Sequence, residues 1–446
     1  MNLPLEKGKV LAGKEGIQES VSPGHSDLQL KELKVTGLFG KYKHSIPFPT
    51  SHDEQGSLAS ILIIHGLNGV GKTTLLQMLN GIMKLNFDVF RAVPFEVCSL
   101  SFTNGDRLIV KAERESLDIS FRQTQVKLQK RKGMKGAFNP VEQPLVEEFR
   151  HQFYTAVNNI SLQFFDADRA RRAKFLLEVK NSSPDSLTSL PSSLLPEILR
   201  PEEAKKTIAT AIQEFIREAQ LDSTAFFGTH DLNLFSKIIE DLRRSDKKPI
   251  NILQIRQTIE QVSDLEVQHR RLGLRVDDWD PAQLVQQLDS SAAEENTHAL
   301  TVLQTYTELL QSRAQSRQLI AERLLTFEQV MADFFEDKKV TVNARFGIMI
   351  ESSNGSIIDE LQLSSGEHQL LYLMVSALTT RRKGTVLAID EPELSMHISW
   401  QRKLVRNLVK CASRAAPQII LATHSPDVAN EFSDNMINLK RNSKES

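Results

Sequence analysis

Gly66-Leu67-Asn68-Gly69-Val70-Gly71-Lys72-Thr73 reads as GxxxxGK[ST], and the residues on either side of it decide the fold. Before it, Ile61-Leu62-Ile63-Ile64 has the composition of a buried strand; after it, Thr74-Leu75-Leu76-Gln77-Met78-Leu79 has that of a helix. Glycines at a strand-to-helix turn let the backbone curl with its N–H groups inward, and the helix N-terminus adds partial positive charge. The loop is therefore expected to hold a nucleoside triphosphate through Gly66, Asn68, Gly69, Gly71, Lys72, Thr73 and Thr74. Lys72 is placed on the outer phosphates and Thr73 on Mg²⁺.

Two further stretches complete a nucleotide engine. Thr385-Val386-Leu387-Ala388-Ile389-Asp390-Glu391 is a hydrophobic strand ending in adjacent acids, a pattern that is common alone and specific when paired with a phosphate loop. Asp390 is expected in the Mg²⁺ shell. Glu391, pointing differently along an extended chain, is expected to polarise the water in line with the γ-phosphate. Leu363-Ser364-Ser365-Gly366-Glu367-His368-Gln369 precedes a helical pattern over 370–378 and sets small hydroxyls and a glycine at a helix N-terminus. Such a start suits an anion; it is equally an adequate helix cap, with Glu367 in the first turn.

In this order the motifs resemble an ABC-type ATPase of the RecF, SMC and OLD branch: Walker A at 66–73, signature at 363–367, Walker B at 385–391. Pro392-Glu393-Leu394-Ser395-Met396-His397 resembles the D-loop, and Ile419-Ile420-Leu421-Ala422-Thr423-His424-Ser425-Pro426 the last strand and switch histidine. The likeness covers about residues 28–178 and 325–440. It implies an α/β P-loop NTPase head with an antiparallel β-subdomain and a mostly helical insertion, using ATP and Mg²⁺. It also implies a head-to-tail pair, the unit of a higher oligomer, in which Ser364, Ser365 and Gly366 of one subunit close over ATP held by the other. Lys72, Glu391 and His424 take the catalytic roles.

Three features depart from the common pattern. Ser365 stands where transporter-type signatures carry Gly and resembles the LSSGE form of OLD-like proteins. No Q-loop is obvious, and Gln163 in Ser161-Leu162-Gln163-Phe164-Phe165-Asp166-Ala167-Asp168-Arg169 is taken as its glutamine and a third metal-shell residue. The chain stops soon after His424, where OLD nucleases continue into a Toprim domain. The wide separation of phosphate loop from signature, filled by a helical insertion, resembles the ATPase subunits of bacterial anti-phage systems of the PtuA (Septu) and AriA (PARIS) types. That resemblance implies an ATPase scaffold controlling a separate effector, an HNH nuclease or a Toprim-type toxin nuclease, with DNA or a phage protein as trigger. A RecF-like repair ATPase and an assembly scaffold with slow turnover stay open; a transporter, whose loop and signature lie closer together, is disfavoured.

Composition agrees with a globular, cytoplasmic protein. The 446 residues are 40% hydrophobic and 25% charged, room for two or three core-bearing units. A net charge of −1 advertises neither nucleic acid nor membrane. The two cysteines, Cys98 and Cys411, form no framework, and no apolar run reaches the ~18–20 residues that span a bilayer. The organisation expected is a tail or arm over 1–27, an ATPase half over 28–178 whose short segments 28–35, 95–102, 107–111 and 117–121 make an antiparallel sheet, a helical insertion over 179–335, and a second ATPase half over 336–446. A Ser/Pro-rich stretch, 181–196, opens the insertion. Ile208, Ile212, Phe215 and Ala219, and again Ile320, Leu324, Phe327, Met331 and Phe334, make apolar helix faces. Leu303, Tyr306 and Leu310 point to an antiparallel helical hairpin, which Pro281 keeps from being one uninterrupted coiled coil. Segments 340–342 and 346–350 read as a β-hairpin. Lys127, Lys130, Arg131, Lys132 and Lys135, and then Arg169, Arg171, Arg172 and Lys174, form basic runs able to meet DNA phosphates, although solvated charge is their commoner meaning.

Overall fold

Two sheets with different hydrogen-bond patterns meet at the phosphate loop. The computed structural model describes residues 28–49, 60–130, 138–140, 143–166, 208–243, 251–274, 297–380, 384–412, 415 and 417–439. The N-terminal tail, the Ser/Pro-rich stretch, Pro281, the boundary at 178/179, and Arg131, Lys132, Lys135, Arg169, Arg171, Arg172 and Lys174 lie outside the described residues, as does the side chain of Lys130.

The antiparallel sheet contains β1 (Leu30–Leu38), β2 (Tyr42–Pro47), β4 (Val97–Phe102), β5 (Arg107–Ala112), β6 (Ser116–Phe121), β7 (Thr124–Lys130) and β8 (Phe138–Pro140), in the order β2-β1-β4-β5-β6-β7-β8. The short segments expected to form it do so. The parallel sheet contains β3 (Ser60–Gly66), β9 (Ser161–Phe165), β13 (Thr385–Asp390), β14 (Gln418–Thr423) and β15 (Met436–Leu439), in the order β15-β3-β14-β13-β9. Every residue of β13 and β14 is buried, which is why these strands read as unbroken apolar runs: both faces are covered.

Alternation along these strands divides the interior into two cores. Leu62, Ile64, Val386, Ala388, Ile420 and Ala422 face the antiparallel sheet and α1 (Lys72–Met83). Ile61, Ile63, Leu387, Ile389, Ile419 and Leu421 face the other way, onto the helices of the C-terminal half. That second core also takes Ile208, Ile212, Phe215, Leu324, Phe327, Met331 and Phe334, so the root of the helical insertion is continuous with the nucleotide-binding sheet.

After α2 (Val89–Ala92) and α3 (Gln143–Val157), the long helices described are α4 (Ile208–Arg243), α5 (Ile252–Arg271) and α6 (Thr297–Phe334). At about 1.5 Å per residue α6 is the longest of them. α4 and α6 are antiparallel: Arg323 lies over the Phe215 ring, Lys237 pairs with Glu308 at 2.9 Å and Thr305 bonds Asp241 at 3.0 Å. α5 runs parallel to α6, with Ile255 against Leu300, Glu266 paired to Arg317 at 2.8 Å and Arg271 to Glu328 at 2.8 Å. Leu303, Tyr306 and Leu310 therefore pack on a parallel neighbour; the antiparallel packing expected of this helix is present with α4, but it is not made by these three residues. A heptad-like stripe marks a buried face but carries no information on the direction of the helix that covers it.

The expected hairpin after the insertion is present as β10 (Lys338–Asn343) and β11 (Gly347–Ser352), extended by β12 (Ile357–Ile358). Then follow α7 (Ser365–Leu378), α8 (Ile398–Ala412) and α9 (Pro426–Ala429). Gly347 ties hairpin to insertion: its φ is +73°, and a Cβ there would be driven into the Ala209 carbonyl on α4. Gly355, φ +82°, has nothing nearer than 3.9 Å. Gly347→Ala should cost more than about 3 kcal/mol in urea unfolding, and Gly355→Ala about 1 kcal/mol, the left-handed backbone alone. Equal losses would show that α4 does not rest on this hairpin.

Candidate functional site

The phosphate loop is shaped by backbone before any side chain acts. Gly69 and Gly71 have φ of +82° and +98°. A Cβ on Gly71 would also meet Leu38 Cδ2 at 2.7 Å, because the β1–β2 turn packs on the loop. Gly71 caps α1 without any side-chain hydrogen bond, and the first turn holds no acid, so no side chain of the cap or first turn competes with an anion for the first N–H groups of this helix. Lys72 is buried and donates to the carbonyls of Gly66 (2.8 Å) and Leu67 (3.2 Å), folded over its own loop. His44 reaches in from β2, Nε2 lying 3.1 Å from the Val70 carbonyl, and burial holds its pKa below the usual histidine range. Asn68 is exposed, Thr73 and Thr74 half-buried.

The carboxylates arrive by register. Ile389 on β13 pairs with Phe165 on β9, so Asp390 and Asp166 leave their strands side by side, while Asp390 pairs with Ala422 of β14 and Thr423 with His65 of β3. Asp390 is 3% exposed. Burial pushes its pKa up to about 6; the Thr73 hydroxyl bonded to it and Lys72 oppose that rise, and the charges of Glu391 and Asp166 add to it. Its Oδ1 is buried without a hydrogen-bond partner among the described residues. A buried, undonated carboxylate oxygen beside a hydroxyl and two more acids is short of positive charge. Hard oxygen donors of this kind suit Mg²⁺, so Thr73 and Asp390 fit the ion. Among the described residues no group of three or more His, Cys, Asp or Glu is arranged to hold a metal ion.

Gln163 is not brought to this point. It pairs with Leu387, and β9 runs on beyond it, leaving it about 10 Å short of the Asp390 level at 3.3 Å per residue. Asp166 occupies the place expected for it.

Glu391 has φ +44°, a conformation that turns it out of the strand while its N–H donates to Ala422 O at 2.8 Å. His424 follows β14, with Nδ1 3.7 Å from Glu391 and 3.3 Å from Glu393. Glu393 is buried, and its Oε1 accepts from the Thr423 hydroxyl (2.5 Å) and the N–H groups of His424 (3.1 Å) and Ser425 (3.2 Å). This carboxylate sets the backbone that carries His424.

The signature is both a helix cap and an exposed edge. Ser364 Oγ accepts the Glu367 N–H at 3.3 Å, and the Glu367 carboxylate accepts the Ser364 N–H at 2.8 Å. Ser364 and Ser365 are exposed; Gly366 is buried, because a Cβ there would strike the Ser395 carbonyl of the D-loop. α7 is held at both ends: Arg323 of α6 donates to the carbonyls of Leu378 and Thr380, and Lys338, at the start of β10, pairs with Glu367 at 2.8 Å.

The family model AAA_15, described as AAA ATPase domain, matches residues 29–429. This chain belongs to the AAA ATPase domain family. As an ATPase domain it is of the kind that takes ATP and, typically, Mg²⁺, and its parallel sheet with the phosphate loop, beside an antiparallel sheet and helices, makes a P-loop NTPase-like α/β fold. Among solved structures it is similar to the Smc head domain with an extended coiled coil, bound to the C-terminal domain of ScpA, from Pyrococcus furiosus: 13% identity, TM-score 0.37, covering 93% of this chain and 94% of that one. It is also similar to the SMC head domain from Thermotoga maritima, at 12% identity and TM-score 0.31, covering 90% and 91%. No curated protein matches.

Three polar groups at this AAA ATPase site went unassigned in the sequence: Asp166, the anchoring role of Glu393, and His44. Only strand register and burial reveal them. Asp390 generates a pH dependence. Its folded pKa lies above the unfolded value near 3.9, so the native chain binds the proton more tightly and loses stability as pH rises from about 4 through 6. Asp390→Asn should therefore be about 2 kcal/mol more stable than the parent at pH 8, without nucleotide, and gain nothing at pH 4. Denaturant unfolding at both values checks this; an equal effect at both would remove the buried charge as the cause.

Proposed function

We propose that this chain hydrolyses ATP to ADP and phosphate in a head-to-tail pair, each triphosphate shared between two copies. The observation carrying this reading is the convergence of Lys72, Thr73, Asp390, Glu391 and His424 on one sheet edge, while Ser364 and Ser365 stand exposed at the start of a separate helix. In the mechanism, the loop amides and the N-terminus of α1 cradle the phosphates, and Lys72 exchanges its two carbonyl partners for phosphate oxygens. Bound Mg²⁺ supplies positive charge to the outer phosphates, held by Thr73 and Asp390. Glu391 takes the proton of the attacking water as the new P–O bond forms and the bond to the ADP oxygen breaks. His424, braced by Glu393, donates to the γ-phosphate. The second copy's Ser364 and Ser365 close the site, so ATP acts as an interface ligand and its loss releases the pair.

The wider role we propose is that of a bacterial anti-phage ATPase subunit controlling a separate HNH or Toprim-type effector, with DNA or a phage protein as trigger. The LSSGE signature and the helical insertion between loop and signature support this reading. No helix among the described residues is long and apolar enough to cross a membrane.

Glu391→Gln should trap ATP-loaded dimers in light scattering and cut phosphate release by about a hundredfold or more, and Lys72→Ala should lose nucleotide. Parental turnover in Glu391→Gln would refute the base. For the wider role, the product of an adjacent gene encoding an HNH or Toprim protein should co-purify with this chain; a neighbour of that kind that does not associate would count against it.

A further inference from the structure

We propose that Gln369 couples the metal site of each subunit to that same subunit's signature helix, by accepting a hydrogen bond from the hydration shell of the bound cation. The inference rests on the reading above that Thr73 and Asp390 hold Mg²⁺.

Gln369 lies on α7 just after the signature and is 4% exposed. Its Nε2 donates to the Pro392 carbonyl at 3.3 Å. A carbonyl only accepts, so this contact fixes which end of the amide faces Pro392 and turns Oε1 the other way. Oε1 is buried with no partner among the described residues. Gln369 lines one small cavity together with Asp166 and Asp390, closed by Phe165, Tyr372 and Ile389. Asp390 Oδ1 is the second undonated acceptor among those lining residues.

Two buried acceptors without donors, beside a further carboxylate, share the same deficit. A buried acceptor is ordinarily paired, with protein or with ordered water. What satisfies both groups must bring hydrogens or positive charge, and a hydrated divalent cation brings both. The amide oxygen of Gln369, being neutral, suits a metal-bound water better than the metal itself, which is the role of an outer-sphere partner. Gln369 would thus supply from α7 the polar contact that Gln163, held back in mid-strand, does not supply from β9. Because α7 begins with Ser364 and Ser365, metal loading in one site bears on the serines offered to the other copy's ATP.

The test uses the full chain with a fluorescent ATP analogue titrated in EDTA and in graded Mg²⁺, and sedimentation to follow ATP-dependent dimers in the Glu391→Gln background. Gln369→Met keeps the volume and removes the acceptor. It should bind nucleotide in EDTA like the parent, need about tenfold more Mg²⁺ for half its effect, and lose the Mg²⁺-dependent dimer. Gln369→Glu, which keeps an acceptor, should retain the Mg²⁺ response. An unchanged Mg²⁺ requirement in Gln369→Met overturns the inference. Should that variant not fold, a structure of Glu391→Gln with ATP and Mg²⁺ decides: Gln369 Oε1 within hydrogen-bond reach of a metal-bound water supports the inference, and an Oε1 turned elsewhere overturns it. A parent chain whose nucleotide binding ignores Mg²⁺ would instead refute the reading on which this rests.

Discussion

The hydrogen-bond register of four parallel strands is the constraint on which the site depends. β3, β14, β13 and β9 are locked so that Gly66, Thr423, Asp390 and Phe165 end on one edge of the sheet. β13 and β14 are buried on both faces, and alternate residues along the strands feed separate cores. A slip of one residue would exchange the two sets of apolar side chains and carry Asp390 to the opposite face. The two interiors thus hold the chemistry in place.

What the sheet assembles is a concentration of like charge. Asp166, Asp390, Glu391 and Glu393 leave the ends of adjacent strands or the loop beyond, and the described cations near them are few: Lys72, bent over its own loop, and His424 when protonated. Hydroxyls and backbone amides take up part of the strain, with Thr73 serving Asp390 and three donors converging on Glu393. The remainder is poised for a ligand that carries its own positive charge.

Most of this was legible in the sequence wherever a motif is contiguous. Walker A, the acidic strand end, the signature and the antiparallel segments were all readable because local spacing maps directly onto local backbone. What escaped reading depends on pairing between distant segments. Gln163 looked suitable by residue type, yet β9 extends two residues past it and brings Asp166 forward instead. Glu393 read only as part of a segment resembling the D-loop and is a buried anchor. The apolar face of Leu303, Tyr306 and Leu310 was recognised, but its partner α5 runs parallel, a direction that periodicity does not encode.

Gly366 and Ser395 touch because the glycine has no side chain, so the signature of each subunit sits directly on the loop that follows its own Glu391. In a two-fold pair this contact has a circular effect. In the proposed arrangement a change at Glu391 would be felt by that subunit's own serines, which would serve the opposite site, whose acid in turn abuts the serines that return to the first. In the pair we propose, two such sites would not fire as independent units, and a pair with one defective copy would run at other than half speed.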